Sequence, residues 1–178
     1  MRYDPMKPTA ETFGYAAAES VMGNILVVTS PKGLVGSFTD QPFDILLLQA
    51  QRRFTGHPFK PAAHKAKTAL TKALAYLENP TKPYTFPLDM RTTPFRKKVW
   101  EVILTVPPGE FATYKDIARL AGSPRAMRAV GSACTECDFD GIVPCHRILH
   151  TNENFTTPAN PSALRRHALI QRERAYLK

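Results

Sequence analysis

Three short runs near the N-terminus, set off by turn residues, have the pattern of strands, and a helical period of hydrophobic residues follows them. The runs predict strands at about 13–20, 24–30 and 34–39, which turns containing glycine and proline join into an antiparallel meander. A period near 3.6 predicts helices at about 43–54 and 62–77, the second with leucines on one side and lysines on the other. The first half of the chain is therefore expected to combine a sheet with helices.

A break in this pattern at 78–83, where two prolines fall close together, marks a domain boundary. We expect one domain at 1–83 and a second at 84–178. The second domain begins with a strand or extended segment at about 84–88.

Helical patterns dominate the second domain. A helix is expected from Pro94 to about Val106. Residues 113–124 then predict a short helix, a glycine stop, a serine cap and a proline at the first position of a second helix, which continues to about Cys134. This order is typical of a helix-turn-helix. A last helix is expected at about 162–177.

The second helix of this pair has one hydrophobic face and one small, basic face. The hydrophobic face, which we expect in the core, carries Met127, Val130 and Cys134. The opposite face carries Arg125, Arg128, Ala129 and Ser132. Small residues let a groove approach closely while arginines reach phosphates, so this face is a candidate DNA-binding surface. The same pattern also occurs in tight helix pairs that bind no nucleic acid.

Composition agrees with a compact protein that acts on DNA. The 178 residues carry a formal charge of +9, which attracts a polyanion, although the excess is spread over both halves. All three cysteines lie between Cys134 and Cys145, unlike a secreted disulfide framework. No run is suited to crossing a membrane, and the N-terminus shows no secretory pattern. We therefore expect a cytoplasmic protein, or a nuclear one in a eukaryote.

The candidate chemistry lies at 143–148, Val-Pro-Cys-His-Arg-Ile, where a thiol, an imidazole and a guanidinium are adjacent. Neighbouring His or Arg side chains lower a thiol pKa and favour the nucleophilic thiolate. This composition predicts an activated Cys145. Most lone cysteines are instead small buried hydrophobes, so the motif alone leaves both interpretations open.

Glu173 is the only carboxylate of the last predicted helix, and helical spacing places it beside hydrophobic residues. It could reach outward to form an exposed ion pair, which contributes little. The arginines available for that are Arg165, Arg166 and Arg172. Alternatively, Glu173 orients His146, directly or through water, in a Cys-His-Glu relay that moves the thiol proton.

These motifs together resemble the O6-alkylguanine-DNA alkyltransferases. The resemblance rests on Arg-Ala-Val-Gly at 128–131, Pro-Cys-His-Arg at 144–147 and Thr113-Tyr114, and it extends to 86–95 and to Val99-Trp100. It implies an α/β (α+β) fold. The N-terminal domain would hold an antiparallel three-stranded sheet with helices, RNase H-like, and the C-terminal domain would be mostly helical with a winged helix-turn-helix.

The resemblance also implies an activity and a set of site residues. The family transfers an alkyl group from O6 of guanine, or O4 of thymine, irreversibly to a cysteine, once per chain, after flipping the base. The implied catalytic residues are Cys145, His146 and Glu173, and the implied DNA-binding residues are Tyr114, Arg125, Arg128, Ala129 and Ser132. The implied substrate pocket comprises Tyr114, Val143, Pro144, Ile148, Phe155 and Ala159. The expected partner is double-stranded DNA containing O6-alkylguanine, with no membrane involvement, and the protein is expected to be a monomer.

The chain departs from the family pattern in three places. Cys137 stands at the hinge where the family usually has an asparagine that braces the turn, and a thiol forms poorer hydrogen bonds than an amide. The segment 152–161 lacks the usual glycines, which puts the range of accepted alkyl groups in doubt. No cysteine precedes Cys134 to match the zinc ligands of some relatives, and Cys134-x-x-Cys137 is a weak metal motif. We expect no metal and no cofactor.

Two other classes of function remain open from the sequence. A non-enzymatic winged-helix DNA-binding protein, or a regulator that senses alkylation, would explain the basic helix pair. A cysteine hydrolase or thiol oxidoreductase would explain the thiol but not Arg125 and Arg128.

Overall fold

The computed structural model of the protein describes residues 11–150 and 161–178, with the side chains of 161–163 excepted. The chain divides into two compact units. The first contains the residues up to Glu78 together with Tyr84–Met90, and the second contains Asn79–Pro83 and the residues from Arg91 onward.

The first unit is a mixed sheet with two helices. Its elements are β1 (Phe13–Ser20), β2 (Gly23–Thr29), β3 (Leu34–Thr39), α1 (Phe43–Arg53), β4 (Phe59–Pro61) and α2 (His64–Glu78). The strand order is β3-β2-β1-β4, with the first three strands antiparallel and β4 parallel to β1. The α/β fold class is confirmed, but the predicted three-stranded antiparallel sheet has a fourth, parallel strand. β4 has only three residues and ends in proline, so it is too short for a strand pattern to show in the sequence. It is a strand because it pairs with β1.

Both faces of the central strands are covered. On one face, Phe13, Leu26 and Val28 pack with Leu46 and other residues of α1 in a buried hydrophobic cluster. On the other face, the start of α2 lies so close to β1 that a Cβ on Gly14 would lie 2.6 Å from the Cβ of Ala63, the residue before the helix, and 3.6 Å from that of Ala66 within it. This double cover explains why residues 25–28 of β2 are all buried.

The segment Tyr84–Met90 belongs to the first unit, whereas the sequence pattern assigned it to the start of the second domain. Leu34 donates its backbone N–H to the carbonyl of Pro87 (2.8 Å), and its own carbonyl accepts from the N–H of Asp89 (2.7 Å). The Ser30 hydroxyl also bonds the Asp89 carboxylate at 2.7 Å. These bonds tie the segment to the sheet edge at β3, a long-range pairing that composition does not reveal.

The second unit is mainly helical. Its elements are α3 (Pro94–Ile103), β5 (Ala112–Thr113), α4 (Tyr114–Leu120), α5 (Met127–Thr135), a 3₁₀ turn (Cys145–Arg147), β6 (Ile148–Leu149) and α6 (Pro161–Ala175). The helix α3 starts at Pro94, as the sequence predicted, and Thr93 caps it. The helix ends at Ile103 rather than near Val106 because residues 104–106 tighten into turns.

The helix pair α4–α5 is present, but α5 begins later than predicted. A capping box between Thr113 and Asp116 starts α4. Pro124 lies in a turn closed by the bond from the Ala126 N–H to the Ser123 carbonyl (2.9 Å), so it does not open α5. α5 packs on α3 through Val130 and Ala133, and the Trp100 indole donates to the Ala133 carbonyl at 2.9 Å.

Met127 was predicted to be a core residue, and this is wrong because its side chain is 46% exposed. The later start of α5 places Met127 in the first turn, ahead of the packed face. Within residues 11–150 and 161–178, no helix has the length and apolar character needed to cross a membrane.

Candidate active site

Cys145 opens the 3₁₀ turn, which follows the buried Val143 and Pro144. The Cys145 N–H donates to the Val143 carbonyl (2.8 Å), and the Arg147 N–H donates to the Pro144 carbonyl (2.9 Å). β6 begins directly after the turn and pairs in parallel with β5. Backbone hydrogen bonds therefore fix the thiol-bearing turn relative to the start of α4.

The carboxylate of Glu173 is the centre of a buried polar network. Its Oε1 lies 2.7 Å from Nε2 of His146, and its Oε2 accepts the Gly109 N–H at 2.8 Å. The Arg147 guanidinium donates to the same carboxylate through Nε (3.1 Å to each oxygen) and Nη2 (2.8 Å), while its Nη1 donates to the Val106 carbonyl at 2.6 Å. The glutamate contacts His146 directly, and it does not form the exposed ion pair considered as the alternative.

Charge inside this network is balanced. Glu173 and Arg147 are 4% and 3% exposed, so each would carry a large desolvation cost alone. Burial opposes ionisation of Glu173, but the hydrogen bonds from His146 and Arg147, with the Gly109 N–H, outweigh it and lower the pKa of Glu173 to about 2. The carboxylate is therefore charged at neutral pH, and its charge is compensated by the Arg147 guanidinium.

The electrostatics of Cys145 differ from the sequence expectation. Hydrogen bonding with the thiols of Cys134 and Cys137, followed by burial, raises the pKa of Cys145 well above its ordinary value. The pKa of Cys134 is lowered in turn by its contact with Cys145. The prediction of a thiol pKa lowered by adjacent residues is therefore not met, because His146 and Arg147 are both engaged with Glu173.

The three cysteines are all half-buried and unbridged. Their clustering brings Cys137, which follows α5, beside the thiol of Cys145. Within the described parts of the chain, no three His, Cys, Asp or Glu side chains are grouped in a way that could hold a metal ion.

The four predicted DNA-binding residues at and before α5 are open to solvent. Arg128, Ala129 and Ser132 lie on α5, Arg125 lies in the turn before it, and all four are exposed. Tyr114 is the first residue of α4 and is half-buried, with its ring against that of His150. This part of the surface therefore presents two exposed arginines and two exposed small side chains.

The predicted pocket residues are placed only in part. Val143, Pro144 and Ile148 are buried around the turn, and Ile148 pairs with Ala112. Phe155 and Ala159 lie outside the described residues. The sequence did not point to Gly109 or to the ion pair of Arg147; the Pro107-Pro108-Gly109 turn was the one available signal for the former.

Comparisons with known proteins agree with this geometry. The family model described as 6-O-methylguanine DNA methyltransferase, DNA binding domain, matches residues 94–175. The constitutive methylated-DNA–protein-cysteine methyltransferase of Bacillus subtilis is 32% identical over 164 residues, which cover 92% of this chain and 97% of that relative. The bifunctional transcriptional activator/DNA repair enzyme Ada of Escherichia coli is 33% identical over 135 residues, 76% of this chain but only 38% of Ada.

The fold comparison gives the same result over nearly the whole chain. A crystal structure of Mycobacterium tuberculosis OGT in complex with DNA matches with a TM-score of 0.71 and 26% identity, covering 92% of this chain and 94% of that one. Together with the near full-length match to the Bacillus subtilis protein, this confirms the resemblance seen in the motifs. The chain belongs to the methylated-DNA–protein-cysteine methyltransferase family, the O6-alkylguanine-DNA alkyltransferases.

Proposed function

We propose that this protein repairs alkylated double-stranded DNA by transferring an alkyl group irreversibly from O6 of guanine, or from O4 of thymine, to the thiol of Cys145. The observation that carries the proposal is the contact between His146, the residue after Cys145, and the buried, ionised Glu173. A DNA-binding protein without chemistry has no need of this arrangement. We further propose that it acts as a monomer, in the cytoplasm or, in a eukaryote, in the nucleus.

The first chemical task is to remove the proton of Cys145, because the thiolate is the nucleophile. Since the thiol pKa is raised, little thiolate forms unaided at neutral pH, and a base is needed. His146 lies in the same 3₁₀ turn, and the charge of Glu173 stabilises the imidazolium that it would become. We assign His146 as the base and Glu173 as the residue that orients it.

The transfer itself exchanges two bonds. A C–S bond forms as the bond between the alkyl carbon and O6 breaks, and its electron pair stays on the guanine. The negative charge on the base is relieved by a proton from the Tyr114 hydroxyl or from water. The resulting thioether is a far poorer leaving group than the base, so the protein acts once.

The damaged nucleotide has to leave the stack before the thiol can reach it. In this proposal Tyr114 crowds the 3′ phosphate, Arg128 fills the vacated place, and α5 lies in the minor groove. The small exposed side chains of Ala129 and Ser132 permit that approach, and Arg125 adds a phosphate contact. The flipped base would be held by Tyr114 and the pocket residues Val143, Pro144 and Ile148, together with Phe155 and Ala159.

Intact-protein mass spectrometry after incubation with O6-methylguanine DNA tests the proposal. We expect a gain of one methyl group per chain, mapped to Cys145, with a plateau at or below one equivalent of transferred label. Cys145→Ser should take up no methyl group yet keep most of its affinity for DNA, whereas the matched variant Cys137→Ser should still accept one. Release of repaired DNA beyond one equivalent, or methylation elsewhere, would contradict single transfer to Cys145.

A further inference from the structure

The ring of His150 packs against the ring of Tyr114, a contact that the proposed function does not use. The ring centroids are 4.8 Å apart and the planes are tilted by 50°. His150 is exposed and directly follows β6, whereas Tyr114 is half-buried and directly follows β5. The contact therefore links the chain leaving the reactive turn to the first residue of the helix-turn-helix.

Backbone pairing is the reason that the two rings meet. β5 and β6 are parallel, with Ala112 opposite Ile148 and Thr113 opposite Leu149. Tyr114 and His150 are the next residues along the two paired chains, so the register brings them side by side. The capping box between Thr113 and Asp116 fixes the backbone from which the Tyr114 side chain extends.

We propose that His150 is a positioning residue, which holds the Tyr114 side chain in the orientation that extrudes the damaged nucleotide. This inference rests on the proposed function, because the role of Tyr114 in extruding the nucleotide is part of that proposal. A tyrosine at a helix start can occupy more than one staggered χ1 position, and a ring packed beside it restricts that choice. A side chain ordered before DNA binds avoids an entropic cost that would otherwise reduce the rate of flipping.

The test compares His150→Ala and His150→Phe with the wild type in single-turnover transfer at saturating DNA. Losing one aromatic contact should slow transfer by about twofold to tenfold in His150→Ala, and His150→Phe, which keeps a ring, should recover most of the rate. In His150→Ala, the fluorescence of 2-aminopurine placed beside O6-methylguanine should fall together with the transfer rate. Affinity for undamaged DNA should be unchanged. His64→Ala, which alters an exposed histidine of the first unit, is the matched control and should behave as wild type.

A double-mutant cycle identifies the route by which His150 acts. In a Tyr114→Ala protein, the further change His150→Ala should have no effect if His150 works only through Tyr114. If the effects of Tyr114→Ala and His150→Ala on the transfer rate multiply in the double variant, the positioning role is overturned. Weaker binding of undamaged DNA by His150→Ala alone would also overturn it and would indicate direct contact with DNA. A His150→Ala protein that matches the wild type, while Tyr114→Ala slows transfer, would refute the inference and leave the proposed function intact. Absence of transfer by the wild type would refute both.

Discussion

Glu173 is the residue on which most polar contacts of the site converge. The helical position of this carboxylate beside hydrophobic residues predicted that it needs a partner, and His146 was one of the two alternatives. Its bonds to Arg147 and Gly109 were not predictable, because the chain segments that carry them meet only in the folded unit. Likewise, adjacency in sequence suggested that Arg147 acts on Cys145, while the guanidinium turns toward Glu173.

Acid should weaken the fold through Glu173. A carboxyl with an ordinary pKa of 4.5 in the unfolded chain and about 2 in the folded one stabilises the protein above pH 4.5, and this contribution of about 3 kcal/mol is lost as the pH falls toward 2. Urea unfolding of the wild type and of Glu173→Gln measures it. The variant should be less stable at neutral pH by about 3–5 kcal/mol, since Arg147 is left buried without its counter-charge.

The gap between the two proteins should narrow steadily from about pH 5 to pH 2, where the wild-type carboxyl also takes up a proton. A gap that stays constant over this range would mean that the carboxylate charge does not stabilise the folded state.

His146→Ala is the matched variant that tests the chemical role of the network. It keeps the bonds of Glu173 to Arg147 and Gly109, so alkyl transfer should slow by about 10²–10⁴ with much less loss of stability.

At the scale of elements, local signals predicted the structure well and pairing signals did not. The bounds of β1 and β3 are those that the strand-like runs predicted, and α3 starts at the proline that follows its threonine cap. β4, β5 and β6 are strands of two or three residues that exist through their partners, which no local pattern reports. The turn at Pro124 shows the opposite error. The sequence carries a good helix-start signal there, but the backbone forms a hydrogen-bonded turn and α5 begins only at Met127.

The turn at Gly109 should tolerate no side chain, because α6 packs over it. Gly109 has φ +76°, and a Cβ there would lie 2.9 Å from Cδ1 of Leu177 and 3.1 Å from Cγ of Arg174. The Arg174 Nε also donates to the Gly109 carbonyl at 2.9 Å. Gly109→Ala should therefore cost both backbone strain, about 1 kcal/mol or more, and a shift of α6 that disturbs Glu173.

Gly122→Ala provides the matched control. Gly122 has φ +81°, but a Cβ there would meet no other part of the described chain within 4 Å, so this variant carries the strain without the contact. The midpoint temperature of thermal unfolding and the rate of alkyl transfer should both fall further in Gly109→Ala than in Gly122→Ala. Equal losses in the two variants would show that strain alone matters and that α6 does not depend on the turn.

At the scale of the whole molecule, a break in the sequence pattern predicted two domains, and composition shows a positive charge but not how that charge is used. The formal charge of +9 is spread along the chain, and the fold shows that Arg125, just before α5, and Arg128, within α5, are both exposed. A surface of this kind binds phosphates and reads few base edges, so affinity is expected to depend little on DNA sequence.

Binding of undamaged duplex DNA should weaken steeply as salt is raised, because counterions are released when arginines and lysines neutralise phosphates. Fluorescence anisotropy over a range of salt concentrations measures the slope. Arg125→Ala should reduce the magnitude of that slope by about 1, while Arg52→Ala, an exposed arginine of α1 in the first unit, should leave it unchanged. Salt-insensitive binding, or strong preference for one undamaged sequence, would contradict a phosphate-dominated interface.

The anchoring of β6 and α6 has a consequence for how substrate range can evolve. The segment 151–160 departs from a chain held by the β5–β6 pairing and leads to a helix held by the Glu173 carboxylate. Both anchors are made by residues outside the segment. Because these anchors lie in the described part of the chain, we expect that changes of sequence in the segment leave the position of the thiol unchanged. We expect that residues 151–160 can be exchanged between relatives as a cassette, changing which alkyl groups are accepted while the acceptor chemistry is inherited intact.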